Sequence, residues 1–418
     1  MQHRQYWQRR VFLLCWAAYA FAYFCRMNLA IALPGIGAEL GVNKAALGAI
    51  GSSFFWAYAI GQLINGYLGD RVSSRWFIGL GLSASALINL CFSFTGNLST
   101  MVLLWGLNGF FQSMLWGPIM KALAHWLPDK PIAQTAVRIT TSTIAGYYLA
   151  WGLSGYLVSR LGWAWAFRAP AVVVMAFAAL WLLLMRDTPA SAGLSIPATA
   201  DPTPQQGDKP TPRNQPFTRI AAQTGLWVLA LVCLAQGVIK EGINLWGPTL
   251  LLEIPQRVGS SAVLFSLLIP TMNLAGIFLS GWATKAFRGQ ERPAVSSLLA
   301  ACALVVAGLA VFKNSLLASA LLLAGASCFV YGANTLLLTV IPLRYQRYGL
   351  TSTVAGSLDA AAYLGAAASG VLNGWLADSG GWGGVALIWC VVGLSAALLV
   401  AQNHRRLTRQ SVREEVAG

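Results

Sequence analysis

Twelve separate apolar stretches, each long enough to cross a bilayer, constrain this chain more than any single motif. They run over 11–36, 46–69, 76–95, 99–123, 133–159, 164–185, 225–252, 262–284, 293–313, 315–342, 351–377 and 382–402. A helix needs about 20 apolar residues to span a hydrocarbon core of about 30 Å. Lipid offers no partner to a bare N–H or C=O, so only helices and closed barrels cross it. The alternating pattern of barrel strands is absent, and the stretches are expected to be helices. With 57% hydrophobic and 10% charged residues, an ordinary soluble domain is excluded. The fold expected is an all-α membrane protein with twelve transmembrane helices.

The net charge of +15 could indicate nucleic acid, so the position of the basic residues decides. With the N-terminus inside, 19 of the 28 Lys and Arg fall in cytoplasmic segments and only five outside. That bias places both termini in the cytoplasm and makes most of the charge topological, with no nucleic-acid partner implied. The first apolar run is too long for a signal peptide and carries an arginine, so no cleaved leader is expected. All seven cysteines sit in apolar runs without metal-ligand spacing. His3 and His404, both in the tails, suggest no metal site either. No phosphate-binding Gly-Lys-Ser loop or Ser/His/Asp set is present, which excludes the common ATP-driven pump and hydrolase designs. No cofactor is expected, and the protein is expected not to be an enzyme.

One long polar stretch, Arg186–Thr218, is rich in Pro, Thr, Gln and Asp and reads as a flexible linker. It divides the chain into an N-terminal six-helix bundle over 1–185, a cytoplasmic linker over 186–218 and a C-terminal six-helix bundle over 219–418. The halves echo each other. Arg26 and Pro34 recur as Lys240 and Pro248 at an offset of 214, and Gly66-Tyr-Leu-Gly-Asp70 recurs weakly as Gly281-Trp-Ala-Thr-Lys285. Repeats of this kind place a substrate site near the membrane midplane and give alternating access by rocking of one bundle against the other.

Arg26 and Lys240 lie inside apolar runs. A basic side chain at bilayer depth costs about 2.5–3.5 kcal/mol or more, and so marks a substrate path. Two such cations, one per half, are expected to clasp one anion. A phosphate monoester, with about −1.5 to −2 charge and three acceptor oxygens, suits an arginine fork and a lysine point charge. Two cations without an anion repel each other, a physical basis for obligatory exchange. The competing reading is internal pairing, for which Glu241 and Asp359 are the available acids. Glu241 points about 100° away from Lys240 on a regular helix and is not automatically its partner. Either acid, if buried, could carry a proton.

The loop Gly66-Tyr-Leu-Gly-Asp70-Arg71-Val-Ser-Ser-Arg75 resembles the signature joining spans two and three in the major facilitator superfamily. Within it, the chain is similar to the organophosphate:phosphate antiporter family of glycerol-phosphate and hexose-phosphate transporters. The stretches that carry this resemblance are Tyr23-Phe-Cys-Arg26-Met-Asn28 with Pro34, Leu107–Gln112 through Trp116-Gly-Pro118 to Lys121, Asp187-Thr-Pro189, and Lys240 through Trp246. The resemblance implies two pseudo-symmetric six-helix bundles, a monomer in a bacterial inner membrane, and a small anionic substrate exchanged for inorganic phosphate. It implies that Arg26 and Lys240 bind the phosphoryl group, with Tyr23 and Lys121 at matched positions. It also implies that Asp70, Arg71 and Arg75 govern the conformational balance. The sequence departs from the glycerol-phosphate members at Ser142, where they use a histidine, at Met27, where they carry a basic residue, and at Asp359, where they have glycine.

Polar residues at helical spacing supply further candidates: Tyr58, Gln62 and Asn65; Asn108 and Gln112; Thr141 and Ser142 after Arg138. Interhelical hydrogen bonding explains many such residues without a substrate. Gln112, and Trp246 six residues past Lys240, complete the expected substrate set. Lys121 could instead snorkel to the interface, and Arg138 and His125 read as interfacial. The alternatives carried forward are a proton-coupled transporter of another organic anion or an efflux substrate, suggested by Glu241 and Asp359, and a transporter-like sensor of phosphorylated ligands.

Overall fold

The structure, a computed structural model, describes residues 2–127, 132–194, 217–254, 259–312, 314–345 and 351–417. Linker residues 195–216 lie outside the described residues, as do Lys130, Arg257, Lys313, Arg347 and the side chains of His3 and Asp70. Helix is the only regular secondary structure among the described residues.

The helices are α1 (Gln2–Leu40), α2 (Lys44–Arg71), α3 (Ser74–Phe92), α4 (Leu98–Gln112), α5 (Trp116–Trp126), α6 (Ile132–Tyr147), α7 (Ser154–Leu161) and α8 (Trp165–Leu184). After the linker come α9 (Phe217–Gln223), α10 (Leu226–Leu252), α11 (Gly259–Ser266), α12 (Leu268–Ala286), α13 (Glu291–Phe312), α14 (Leu316–Thr335), α15 (Ile341–Leu343) and α16 (Thr351–Ala417). Where starts are capped, a short polar side chain accepts an orphan N–H: Ser73 for α3, Asn97 for α4 and Ser315 for α14.

Ten helical segments are long and apolar enough to cross a membrane. Two features reconcile them with the twelve spans expected. One segment, Val354–Gln410, has 57 residues, about twice what a crossing needs. It breaks at Gly381, whose φ of 62° and ψ of −176° are not helical, so it makes two crossings. The expected fifth span is spread over α6, a π-helical segment Tyr148–Leu153 and α7, none of which crosses alone. Span four is similarly interrupted, with a turn at 113–115 between α4 and α5.

Contacts group the chain into two compact units, residues 1–42 with 49–206, and 43–48 with 207–418. In the first unit α1 packs on α6 and α8, and α3 packs on α4 and α8. Its core is aromatic: Phe92 lies 4.4 Å from Phe167 and 5.3 Å from Trp105, ring centre to ring centre. A buried amide network ties α1 to its neighbours. Asn28 donates to Asn89 and to the Ala166 carbonyl, while Asn89 and Asn108 both donate to the Cys25 carbonyl.

In the second unit α10 packs on α14 and α16, and α13 packs on α14 and α16. Leu229, Val232, Leu298, Leu299, Leu337 and Leu358 belong to one continuous apolar core. The α10–α16 crossing is close enough to require glycine on both sides. A Cβ on Gly365 would lie 2.0 Å from the Leu234 carbonyl oxygen, and one on Gly237 would lie 2.1 Å from that of Ala362. Small residues of this kind let membrane helices approach backbone to backbone.

Residues 186–194, whose composition reads as linker, are held against the first unit. The Asp187 carboxylate accepts the Arg75 backbone N–H at 2.7 Å and the Ser73 hydroxyl, so it closes the N-terminus of α3. An acid at a helix start is favoured by the helix dipole, a local rule that composition does not register.

Candidate functional site

Arg26 sits near the middle of α1 and is 8% exposed. Its guanidinium carbon lies 4.7 Å from the ring centre of Phe54, 5.2 Å from Tyr58, 5.3 Å from Tyr23 and 5.4 Å from Phe55. Tyr23 precedes it by three residues on the same helix face, and α2 supplies the other three rings at 54, 55 and 58. Each cation–π contact contributes about 0.5–1 kcal/mol when exposed and about 2 kcal/mol when desolvated, so the cage offsets part of the cost of burying the charge. A planar guanidinium can stack by its faces and still present N–H donors at its edge to an anion. Tyr58 is among the residues that helical spacing singles out. Phe54 and Phe55 carried no polar signal in the sequence, so the cage emerges only from packing.

Tyr23 also touches Tyr19 and Tyr147, at 5.3 and 5.7 Å between ring centres. Gln112 is buried, and its amide donates to the Ala22 carbonyl and the Ser85 hydroxyl, each at 3.0 Å. It thus fastens α4 to α1 a turn from Arg26. Lys121 lies elsewhere. Its ammonium donates to the carbonyls of Gly69 and Val72, at 3.0 and 3.1 Å, and so caps the C-terminal end of α2.

In the second unit the Lys240 ammonium lies 3.0 Å from a Glu241 carboxylate oxygen. The 100° between adjacent residues is bridged because both side chains are long enough to reach around the helix. Asn244 donates to the other Glu241 oxygen at 3.1 Å, one turn further on. From α14, the Tyr331 hydroxyl lies 3.2 Å from the Asn244 amide, and its ring centre is 5.5 Å from the Lys240 nitrogen. Gln236 donates to Asn334 at 3.1 Å, which extends the polar seam between α10 and α14. Lys240 is therefore charge-balanced locally, and the repulsion expected between two bare cations does not describe its setting. Asn244 was missed in the sequence, although its spacing of three residues from Glu241 is a helical signal, and so was Tyr331, whose distant helix gives none.

Asp359 is half-buried on α16. Trp246 is fully buried, and its indole N–H donates to the Gly370 carbonyl at 3.2 Å. That places it in the α10–α16 packing, apart from the Lys240 seam. At the C-terminal end of α2, Arg71 stacks on Tyr67 at 3.4 Å from the ring centre. The Arg75 guanidinium donates to the Leu182 carbonyl, and Trp181 donates to the Arg75 carbonyl at 2.9 Å. The structure thus brings Tyr23, Arg26 and Gln112 into one neighbourhood and Lys240 with Glu241 into another. Lys121, Arg71 and Arg75 share the α2–α3 loop region. Among the described residues no His/Cys/Asp/Glu group is arranged to hold a metal ion.

Apolar helices long enough to cross a membrane, with charged and polar side chains buried among them, define a polytopic membrane protein with a polar interior. Residues 15–361 match the Major Facilitator Superfamily, and the chain belongs to that superfamily of transporters. Over 98% of its length it is 27% identical to the "Probable hexose phosphate transport protein" of Chlamydia pneumoniae, covering 94% of that protein. It is also 27% identical to the "Glycerol-3-phosphate transporter" of Bacillus subtilis strain 168, over 90% of this chain and 87% of the relative. The "Membrane sensor protein UhpC" of Escherichia coli K12 is 25% identical over 97% of this chain and 94% of its own length. Among solved structures, a bacterial homologue of the human lysosomal transporter Spinster superposes with a TM-score of 0.76 at 16% identity, covering 96% of this chain and 98% of that one. The nucleoside transporter NupG gives 0.66 at 16% identity, over 95% of this chain and 98% of that one.

Proposed function

We propose that this carrier moves small phosphorylated organic anions, of the sugar-phosphate or glycerol-phosphate kind, across a bacterial inner membrane in exchange for inorganic phosphate. Arg26 and Lys240 are the phosphoryl-binding cations in this reading, both termini are cytoplasmic, and alternating access carries the anion across. The observation that carries it is Arg26, a permanent charge buried within an apolar helix and surrounded by four aromatic rings, because a costly charge of that kind typically marks a substrate path. The similar proteins of Chlamydia pneumoniae and Bacillus subtilis are named for transport of phosphate esters, which supports this substrate class.

A second reading, proton-driven uptake, is favoured by one observation. Glu241 is buried beside Lys240 with Asn244 on its second oxygen, so an arriving anion competes with a carboxylate that can leave the lysine by taking a proton. Proteoliposomes loaded with inorganic phosphate separate the readings. Exchange predicts uptake of labelled glucose 6-phosphate or glycerol 3-phosphate that requires internal phosphate and is lost in Arg26→Ala. Uptake indifferent to internal phosphate but driven by an inward proton gradient establishes the second reading. Ligand binding without flux points instead to a sensor.

A further inference from the structure

A cavity of the second unit lies away from Lys240, around the C-terminal part of α16. It encloses about 1120 Å³. Its walls come from the ends of five membrane-crossing segments: Thr224 just before α10, Arg288–Pro293 at the turn joining α12 to α13, Arg344 and Tyr345 after α15, which continues from α14, and His404 and Leu407 in the C-terminal part of α16. Among the described residues, three arginines, Arg288, Arg292 and Arg344, and His404 line it against a single acid, Glu291. The acid is committed to one of them, since Arg344 meets Glu291 at 2.6 Å and also donates to the Gly289 carbonyl. Arg292 is oriented by a 2.6 Å bond to the Thr224 carbonyl, and Tyr345 is held to the Thr224 hydroxyl at 2.9 Å. The wall therefore keeps a net positive charge around a space far larger than a side chain needs.

A second observation singles out Arg288. Its φ of 53° makes it the one non-glycine residue with positive φ among the described residues, although Gly289 follows immediately. A left-handed backbone is strained for arginine and not for glycine, so the guanidinium stands there at a conformational cost. Polar ends of spans lie at headgroup level, and basic pockets between membrane helices there suit lipid phosphate. Ile341 and Leu407 add apolar wall beside the arginines.

We infer that this cavity is a binding site for a phosphate-bearing anion, separate from the transport site, with Arg288, Arg292 and Arg344 as its ligands. The group is either the headgroup of an anionic phospholipid or a soluble phosphate ion, and the two sources differ in what must accompany the phosphate.

The test is native mass spectrometry of the full-length protein released from detergent, titrated with cardiolipin, phosphatidylcholine and inorganic pyrophosphate. It is run in the Arg26→Ala background, which removes one of the two cations proposed for the transport site; whatever Lys240 still binds is common to the parent and to Arg288→Gly and drops out of their comparison. The expected result is retention of cardiolipin or pyrophosphate that weakens about fivefold in Arg288→Gly, the effect of one basic residue near a membrane surface. Arg288→Gly relieves the left-handed strain, so it should melt no lower than its parent, and weaker binding cannot be laid to misfolding. Cardiolipin retained without competition from pyrophosphate identifies a lipid site, and pyrophosphate bound with no preference for cardiolipin over phosphatidylcholine identifies a soluble-anion site. Cardiolipin and phosphatidylcholine retained equally without pyrophosphate binding, or retention unchanged in Arg288→Gly, would overturn the inference.

Discussion

The side chain on which the functional reading turns is Arg26, and its environment says which substitutions matter. Lysine keeps the charge but loses the planar group that stacks between Phe54, Tyr58, Tyr23 and Phe55 and the fork that grips a phosphoryl oxygen pair. A hydrogen bond to a charged group contributes about 1.5–3 kcal/mol, so Arg26→Lys should lower uptake of a phosphate ester by about tenfold or more. Arg26→Ala should abolish it, with an unchanged elution profile showing that the protein remains folded. Gln112 makes a contrasting case. Its amide fastens α4 to the Ala22 carbonyl and to Ser85, and interhelical hydrogen bonds in membranes average about 0.6 kcal/mol with a maximum near about 1.7. Gln112→Leu should therefore lower the melting temperature in detergent by a few degrees. A changed KM at unaltered melting temperature would assign its amide to the substrate instead.

At the scale of elements, the α2–α3 turn is gripped from two sides. Lys121 holds the carbonyls of Gly69 and Val72 where α2 ends, and Asp187 holds the Arg75 N–H and the Ser73 hydroxyl where α3 begins. Removing a helix cap costs about 0.5–2 kcal/mol, and Asp187→Ala should accordingly speed hydrogen exchange of the amides near Arg75 by about fivefold, leaving those of α14 as they were. Equal protection in both proteins would show that the carboxylate holds nothing. The resemblance to a superfamily signature had pointed to Asp70, Arg71 and Arg75 in this loop. The partners that fix its geometry come from α5 and from the edge of what composition marks as linker, and no local pattern announces them. Helix interruptions were equally hidden. Hydropathy reports that 99–123 and 133–159 are apolar, but not that the first turns at 113–115 or that the second carries a π-helical segment at Tyr148–Leu153. Segments of that kind often accompany functional sites.

For the molecule as a whole, the charge balance of the buried groups governs what it can couple. Lys240 is paired with Glu241, and Asn244 and Tyr331 complete the seam. Glu241→Gln removes the carboxylate that competes for the lysine, so anion affinity should rise, by about tenfold for each 1.4 kcal/mol of competition removed. Any response of uptake to a proton gradient should vanish with it, measured in the same proteoliposomes with pH imposed across the membrane. A gradient response that persists in Glu241→Gln would assign proton coupling elsewhere, with Asp359 as the remaining acid of the expected pair. By itself the sequence determined the class of solvent the chain folds in, the helical state of its spans and the rarity of its buried charges, because lipid imposes those rules residue by residue. Only the tertiary structure decided that Arg26 stands in an aromatic cage, that Lys240 is already paired, that Trp246 is packing and that Lys121 is a cap. Partners supplied by other helices meet through packing, and packing leaves no period in the sequence.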